Sequence, residues 1–399
     1  MPRVNHFDKL ISVEDALDVL LSIIKPLERT SKIELENADN RILAHDVIAP
    51  KDFPHYDMSF MDGYAVRAED TRGCSPDSPK FLMLTEGVRL ESGFCSQLHT
   101  GSDLPEGADA VIKLEDTKNE KDGLMAYREV AVGENITPRG KTVKKGDLLY
   151  KKGFQLKPTN IAMLATLGLA EIEVFERPKV LVIPTGDEII ERGLEAGPGR
   201  INESNGLMCY LFVRRYGGKA TVINIVPDDV EKLAESLRRG LKYDLIVTSG
   251  GSSVGKRDHM PEVIESMGKV LVHGVGLKPG RPMGIGYVGQ ERAMTPIIFL
   301  PGFPDACAVG TMMFVDRAIK KLGHYPETRY LKRTVILSER IRSFRGTKAV
   351  AKVVVEDGKA APVSTIGPAP YDGEYAYVIV PDDVDGYDAL SEVESIYLE

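Results

Sequence analysis

The sequence predicts a multidomain chain of α/β and β parts, centred on a three-layer α/β domain with a parallel-rich sheet. Three observations carry that prediction. The chain has 399 residues, and single hydrophobic cores stop growing near ~250–300 residues, so two to four domains are expected. Within residues 179–326, continuously apolar runs alternate with amphipathic helical patterns, as in a parallel sheet covered on both faces. Short strand-like runs broken by Gly and Pro fill residues 46–139, and β patterning returns from Tyr330 onward.

In chain order, Ser12-Val13-Glu14-Asp15 resembles a capping box. Val13, Ala16, Leu17, Leu20, Leu21 and Ile24 follow at helical spacing, which predicts a helix with one buried face ending near Pro26. Residues 46–139 read as all-β, with runs at Phe81-Leu82-Met83-Leu84 and Ala110-Val111-Ile112 and a hairpin turn at Asp122-Gly123. A short helix is expected from Pro158 to Leu167, with Gly168 just past its end. After a strand over residues 171–175, Arg177-Pro178 marks a boundary. Val180-Leu181-Val182-Ile183 is then a fully apolar strand, followed by a helix over 204–216 and a strand over 220–226. A helix capped by Asp228 or Asp229 comes next, then strands over 244–248 and 297–300 and a long helix to Leu322. Gly323 and Pro326 end that helix, and Asp357-Gly358 predicts another hairpin.

Composition removes several function classes. Lys plus Arg number 51 and Asp plus Glu 59, a net charge of −8, so the broad positive field of nonspecific nucleic-acid binding is missing and no nucleic-acid partner is expected. Small anions stay open, because local donors override the global sign. The apolar runs are far shorter than the ~18 residues of a membrane span, so no membrane association is expected. Residues 1–9 carry charges and no apolar h-region, so no signal peptide is expected. Cys74, Cys95, Cys209 and Cys307 are scattered and read as reduced, partly buried thiols of a cytoplasmic protein. The seven histidines form no His-Glu-x-x-His pattern, against a zinc hydrolase.

In an open parallel α/β sheet, ligands bind beyond the carboxyl ends of the strands. Three strands run into suitable loops there: Pro184-Thr185-Gly186-Asp187-Glu188, then Ser249-Gly250-Gly251-Ser252-Ser253-Val254-Gly255-Lys256-Arg257-Asp258, then Pro301-Gly302-Phe303-Pro304-Asp305. Glycine backbone N–H groups cradle phosphate without a basic patch. Any one loop is accounted for as a turn or a cap; three at equivalent ends of one sheet point to a site. The second loop nearly satisfies the P-loop pattern, but Arg257 stands where Ser or Thr must hold magnesium. Asp258 beside it suits a divalent cation bridging protein and anion. Two turn-rich motifs in the β region, Ser59-Phe60-Met61-Asp62-Gly63-Tyr64-Ala65 and the stretch from His99 through Thr100 to Ala110, are weak when read locally. The basic stretch Arg139, Lys141, Lys144, Lys145 reads as a solvated face.

In their order, Met61-Asp62-Gly63-Tyr64-Ala65, Thr100-Gly101, Leu104-Pro105-Glu106-Gly107-Ala108-Asp109, Thr185-Gly186-Asp187-Glu188, Gly250-Gly251, Ser253-Val254-Gly255, Asp258, Lys278-Pro279-Gly280-Arg281-Pro282 and Leu300-Pro301-Gly302 with Pro304 resemble the molybdopterin molybdenumtransferase family. That family is related to the E domain of gephyrin, and the resemblance covers nearly the whole chain. It implies an elongated linker and dimerisation domain (residues 1–45 and 145–177), a β-rich domain (46–144), an α/β molybdopterin-binding domain (178–326) and a C-terminal β-barrel (327–399). It implies a homodimer in which the Asp62 motif of one subunit faces the α/β domain of the other. It also implies the reaction: adenylylated molybdopterin and molybdate, the co-substrate, give molybdenum cofactor and AMP with Mg²⁺ as the divalent cation. The molybdopterin adenylyltransferase is a further candidate partner.

The resemblance assigns Asp62, Glu188 and Asp258 to catalysis and Asp187, Glu188 and Asp258 to the metal. For substrate it assigns Thr100, Thr185, Gly186, Asp228, Asp229, Gly250, Gly251, Ser253, Gly255, Lys278, Arg281, Pro301, Gly302 and Pro304. Some positions depart from the family pattern: Phe303 stands where Asn is common, Lys141-Thr142 replace an acidic pair, Met58 and Phe60 flank Ser59 where Asn and Ala are usual, and Ser252, Arg257 and Asp305 also differ. These departures leave open a preference for tungstate, or a carrier of the same fold without turnover. An adenylyltransferase sharing the Gly250-to-Asp258 loop is a third reading, against which the extra β domains stand.

Overall fold

The structure, a computed structural model, describes residues 10–250, 259–290, 294–363 and 374–397. The chain forms two compact units. The larger is drawn from Met1–Ser31, Asn40–Ile42 and Val174–Glu399, the smaller from Lys32–Asp39 and Leu43–Glu173.

The larger unit opens with helix α1 (Val13–Ile23), where the Ser12 hydroxyl accepts the Asp15 N–H at 3.0 Å as the capping-box pattern predicts. Its central sheet contains β1 (Lys179–Pro184), β2 (Lys219–Val222), β3 (Leu245–Ser249), β4 (Gly268–His273), β5 (Gly284–Val288) and β6 (Thr295–Leu300). The strand order is β2-β1-β3-β6-β5-β4. The first four are parallel, and β5 and β4 continue the sheet through antiparallel pairings beside β6.

Side chains alternate faces along a strand, and here each face has its own core. Val180, Val182, Leu245, Val247, Ile298 and Leu300 pack on one side with α1, with α2 (Asn205–Arg215) and with the helical stretch over residues 304–322. Leu181, Ile183, Ile246, Ile297 and Phe299 pack on the other with α3 (Val230–Gly240) and α4 (Met260–Met267). The three-layer arrangement follows from that alternation. Helix α1, grouped with residues 145–177 at the sequence level, buries Val13, Ala16, Leu20 and Ile24 in the first of these cores.

The predicted long helix to Leu322 is present as Pro304–Gly310 and Asp316–Leu322 joined by a π-helical turn over Thr311–Val315. The Thr311 hydroxyl donates to the Cys307 carbonyl at 2.7 Å there, competing with the regular backbone ladder. Beyond it, β7 (Leu331–Leu337), β8 (Lys348–Glu356), β9 (Lys359–Pro362), β10 (Glu374–Val380) and β11 (Glu392–Tyr397) pair in the order β8-β9-β7-β11-β10, and β10 pairs back with β8. That last pairing closes a five-stranded barrel and leaves none of these strands as an edge. The expected Asp357-Gly358 turn joins β8 to β9, both residues having positive φ (47° and 74°) as a type I′ hairpin requires.

The smaller unit carries a six-stranded sheet in the spatial order Ala110–Lys113, Gly63–Val66, Phe94–Leu98, Lys80–Leu84, Gly123–Ala126 and Thr117–Glu120. Its core gathers Tyr64, Val66, Leu82, Cys95, Ile112 and Leu124. Among the described residues, no helix is long and apolar enough to cross a membrane.

Candidate functional site

Strand register alone brings the predicted loops together. Pro184 pairs with Ser249, and Ser249 with Leu300, so Thr185, Gly250 and Pro301 begin their loops side by side at the carboxyl end of the sheet. The Thr185 N–H donates to the Ser249 carbonyl (2.9 Å), and the Gly250 N–H to the Leu300 carbonyl (3.0 Å). On the other flank, the Gly186 N–H donates to Val226 O (3.2 Å) and the Val226 N–H to Pro184 O (2.9 Å).

This closeness requires glycine at one position above all. Gly250 has φ +101°, and a Cβ there would stand 2.2 Å from the Thr185 carbonyl oxygen. Gly302 lies against it, with a Cβ position 3.5 Å from the Gly250 Cα. Pro301 precedes Gly302, and Pro304 starts the following helix.

Carboxylates collect on the same rim. Asp187 Oδ1 accepts the backbone N–H of Asp228 at 3.2 Å. The Asp228 carboxyl is pushed above the usual range, first by burial and then by repulsion from Asp187 and Glu188. Asp229 instead caps α3, its carboxylate accepting the Lys232 N–H at 3.0 Å. The two aspartates left as alternatives for the cap are thus divided, one capping and one beside the loops. Among the described residues, no three His, Cys, Asp or Glu side chains are arranged to hold a metal ion. Gly251, Ser253, Gly255 and Asp258 lie outside the described residues, as do Ser252 and Arg257.

The loop carrying Lys278 and Arg281 joins β4 to β5. Because β5 runs antiparallel to β6, with Gly284 opposite Phe299 and His273 opposite Gly284, this loop emerges at the same end as the loops after β1, β3 and β6. The two cations therefore share an end of the sheet with Gly250 and Pro301. Leu277 and Lys278 pair in parallel with Lys348 and Ala349 of the barrel strand β8.

In the smaller unit, Gly63 pairs with Leu98, which brings Asp62 beside the turn at His99 and Thr100. Asp62 Oδ1 accepts the Thr100 N–H (2.6 Å) and the Thr100 hydroxyl (3.0 Å). These two donors, in that order, hold the Asp62 carboxyl below its ordinary value. Removing the hydroxyl in Thr100→Val is expected to move the Asp62 midpoint upward while leaving it depressed by the retained N–H. A carboxyl 13C NMR titration measures this, and an unmoved midpoint would refute the assignment. In the basic stretch read as a solvated face, Arg139 is exposed and its Nε donates to Asp52 (2.6 Å).

Sequence reading passed over Arg200, Glu203 and Asn205. The Arg200 guanidinium donates to the Asp187 carbonyl. Glu203, buried and ion-paired with Arg192 (2.7 Å), accepts the Gly206 N–H and so fixes the start of α2. From that start Asn205 Nδ2 donates to the Gly302 carbonyl (2.8 Å), and its buried Oδ1 has no partner among the described residues. Asp305, one of the departures, is ion-paired with Lys352 of β8 (3.0 Å). The other departure on this loop, Phe303, is exposed.

Glycine-lined loops, a carboxylate rim and two cations gather at the carboxyl end of a parallel-rich sheet, the place where open α/β proteins bind their ligands. Comparisons with known proteins narrow the class. Residues 11–168 match the model of the MoeA N-terminal region (domains I and II), and residues 181–321 match that of the probable molybdopterin binding domain. A putative molybdopterin biosynthesis protein of Methanocaldococcus jannaschii is 33% identical over 93% of this chain and 92% of its own. Molybdopterin molybdenumtransferase 2 of Mycobacterium tuberculosis is 32% identical over 85% and 86%. The crystal structure of a molybdopterin biosynthesis moeA protein from Pyrococcus horikoshii superposes with a TM-score of 0.81 at 31% identity, covering 98% of this chain and 100% of that one. The chain belongs to the molybdopterin molybdenumtransferase (MoeA) family, whose work lies in molybdenum-cofactor biosynthesis.

Proposed function

We propose that this chain inserts molybdate into adenylylated molybdopterin, releasing AMP. The observation that carries the reading is the convergence of Thr185, Gly250 and Pro301 at one end of a sheet, rimmed by Asp187, Glu188 and Asp228. A phosphoanhydride substrate and an oxyanion co-substrate both need local neutralisation. Lys278 and Arg281 supply it, together with loop backbone N–H groups other than those of Thr185, Gly186 and Gly250, which pair with neighbouring backbone carbonyls. Asn205 fixes the Pro301-Gly302 loop and keeps one acceptor for a ligand donor.

The donor chemistry fits a hard divalent cation. Mg²⁺ takes one or two carboxylates together with substrate phosphate oxygens instead of a dedicated protein cage. Asp187, Glu188 and Asp258 would hold it, and bound there it would neutralise charge developing on the anhydride. Asp62, kept ionised by Thr100, would act in the site of the partner protomer of a homodimer. The exposed apolar residues Leu194, Ile201, Leu207 and Leu211 offer such a dimer surface to bury.

Wild-type protein is expected to release AMP from adenylylated molybdopterin on addition of molybdate and Mg²⁺. Asp62→Asn and Asp258→Asn should each abolish release. Mixing and reassociating the two variants should restore about a quarter of wild-type activity, because one site of each mixed dimer is intact. Substrate binding without AMP release under any oxyanion, tungstate included, would make the chain a carrier. No recovery on mixing would remove Asp62 from the partner's site.

A further inference from the structure

We propose that Phe344 is a positioning residue for Lys278, its ring face holding the ammonium at the anion-binding end of the sheet without neutralising it. Lys278 Nζ lies 5.0 Å from the centroid of the Phe344 ring. Among the described residues no carboxylate pairs with Lys278. A carboxylate partner would cancel most of the charge an anion sees, whereas an aromatic face attracts the cation through its quadrupole and leaves the net charge in place. Three other basic side chains nearby differ: Lys348 is ion-paired with Glu14, Lys352 with Asp305 and Arg345 with Asp385.

Core packing does not account for the placement of Phe344. The residue is 66% exposed, so burial of its ring contributes little to the core. Its loop is nonetheless fixed. The Thr347 N–H donates to Phe344 O (3.1 Å), the Gly346 N–H to Asp382 O (2.7 Å) and the Lys348 N–H to Gly276 O (2.8 Å). Gly276 and Gly346 approach so closely that a Cβ on Gly276 would stand 2.8 Å from the Gly346 carbonyl oxygen. Backbone contacts therefore tie the barrel loop to the Lys278 loop, and Phe344 is placed under Lys278 by that attachment. The barrel thereby acquires a part in anion binding.

The inference rests on Lys278 being an anion-binding group, as in the function proposed above, and its test is built to fail separately from that function. Phe344→Leu keeps apolar bulk and removes the π face; Phe344→Trp keeps a π face. After reductive dimethylation of lysines with 13C, the Lys278 methyl resonance, assigned with a Lys278→Arg control, reports the ring current directly. Equilibrium dialysis with molybdate, and separately with inorganic phosphate, reports anion affinity without turnover. In Phe344→Leu the resonance should lose its ring-current shift, molybdate affinity should fall by about 2- to 5-fold, the range of an exposed cation–π contact, and the melting temperature should not change. Phe344→Trp should keep the shift and the affinity. An unchanged resonance in Phe344→Leu overturns the contact, and a lost ring-current shift with unchanged affinity overturns the positioning role. Either result stands whether or not the wild type releases AMP.

Discussion

Gly250→Ala is expected to lower AMP release by about 100-fold, the scale of a displacement near 1 Å in a positioned site. It is also expected to destabilise the protein by about 1–3 kcal/mol. The added methyl would stand 2.2 Å from the Thr185 carbonyl oxygen, a backbone atom held by its neighbours in the sheet and unable to swing aside as a side chain can. The residue also has φ +101°, where an L side chain is strained even in open space. Separating Thr185 from Gly250 opens the floor on which the anion would rest. Thermal unfolding and the AMP assay read the two effects separately. Wild-type values in both would show that the two loops do not approach as described.

The second large effect has the opposite sign for stability. Asp228→Asn is expected to raise the melting temperature of the metal-free protein at pH 7 by about 1–3 °C, a range that already allows for solvent screening of a half-exposed group. The same variant should keep most of any stabilisation that added Mg²⁺ gives the wild type, because Asp187, Glu188 and Asp258 are retained. Burial, and then the charges of Asp187 and Glu188, raise the folded-state Asp228 carboxyl above its unfolded value. Below the unfolded value both states are protonated and the residue costs nothing. As pH rises through the window up to the folded value, the unfolded chain ionises more readily, and stability is lost and stays lost above it. Asparagine carries no such penalty, so the two proteins should converge in melting temperature at acidic pH and diverge toward neutrality. Differential scanning fluorimetry from pH 3.5 to 7.5, with and without Mg²⁺, follows both trends. A lower melting temperature for Asp228→Asn at pH 7 would mean that its carboxylate stabilises the fold.

The elements legible in the sequence were those whose burial is simple. The apolar runs at Val180 to Ile183 and Ile297 to Leu300 are strands covered on both sides, and Ser12 and Asp229 cap the helices their positions suggested. Strands β4 and β5 and helix α4 were not foreseen. Glycines at 268, 284 and 286 and the polar Lys269 break the apolar run that marks the other strands, and Phe299 needs that space: a Cβ on Gly284 would stand 1.9 Å from its ring. Missing β4 and β5 also hid why Lys278 and Arg281 belong with the glycine loops, since only antiparallel pairing turns their loop to that end. Thr185, Gly250 and Pro301 were legible because loop position follows from strand direction. Arg200, Glu203, Asn205 and Phe344 were not, because each acts through a tertiary contact that leaves no local pattern.

The larger unit is interrupted in sequence: α1 precedes the smaller unit, and the sheet it packs on follows it. During synthesis at about 5–20 residues per second, roughly 150 residues separate the emergence of α1 from that of β1, an interval of roughly 8–30 s. The smaller unit can fold in that time, while Val13, Ala16, Leu20 and Ile24 wait without their partners. The helix made first is thus among the last pieces to be seated.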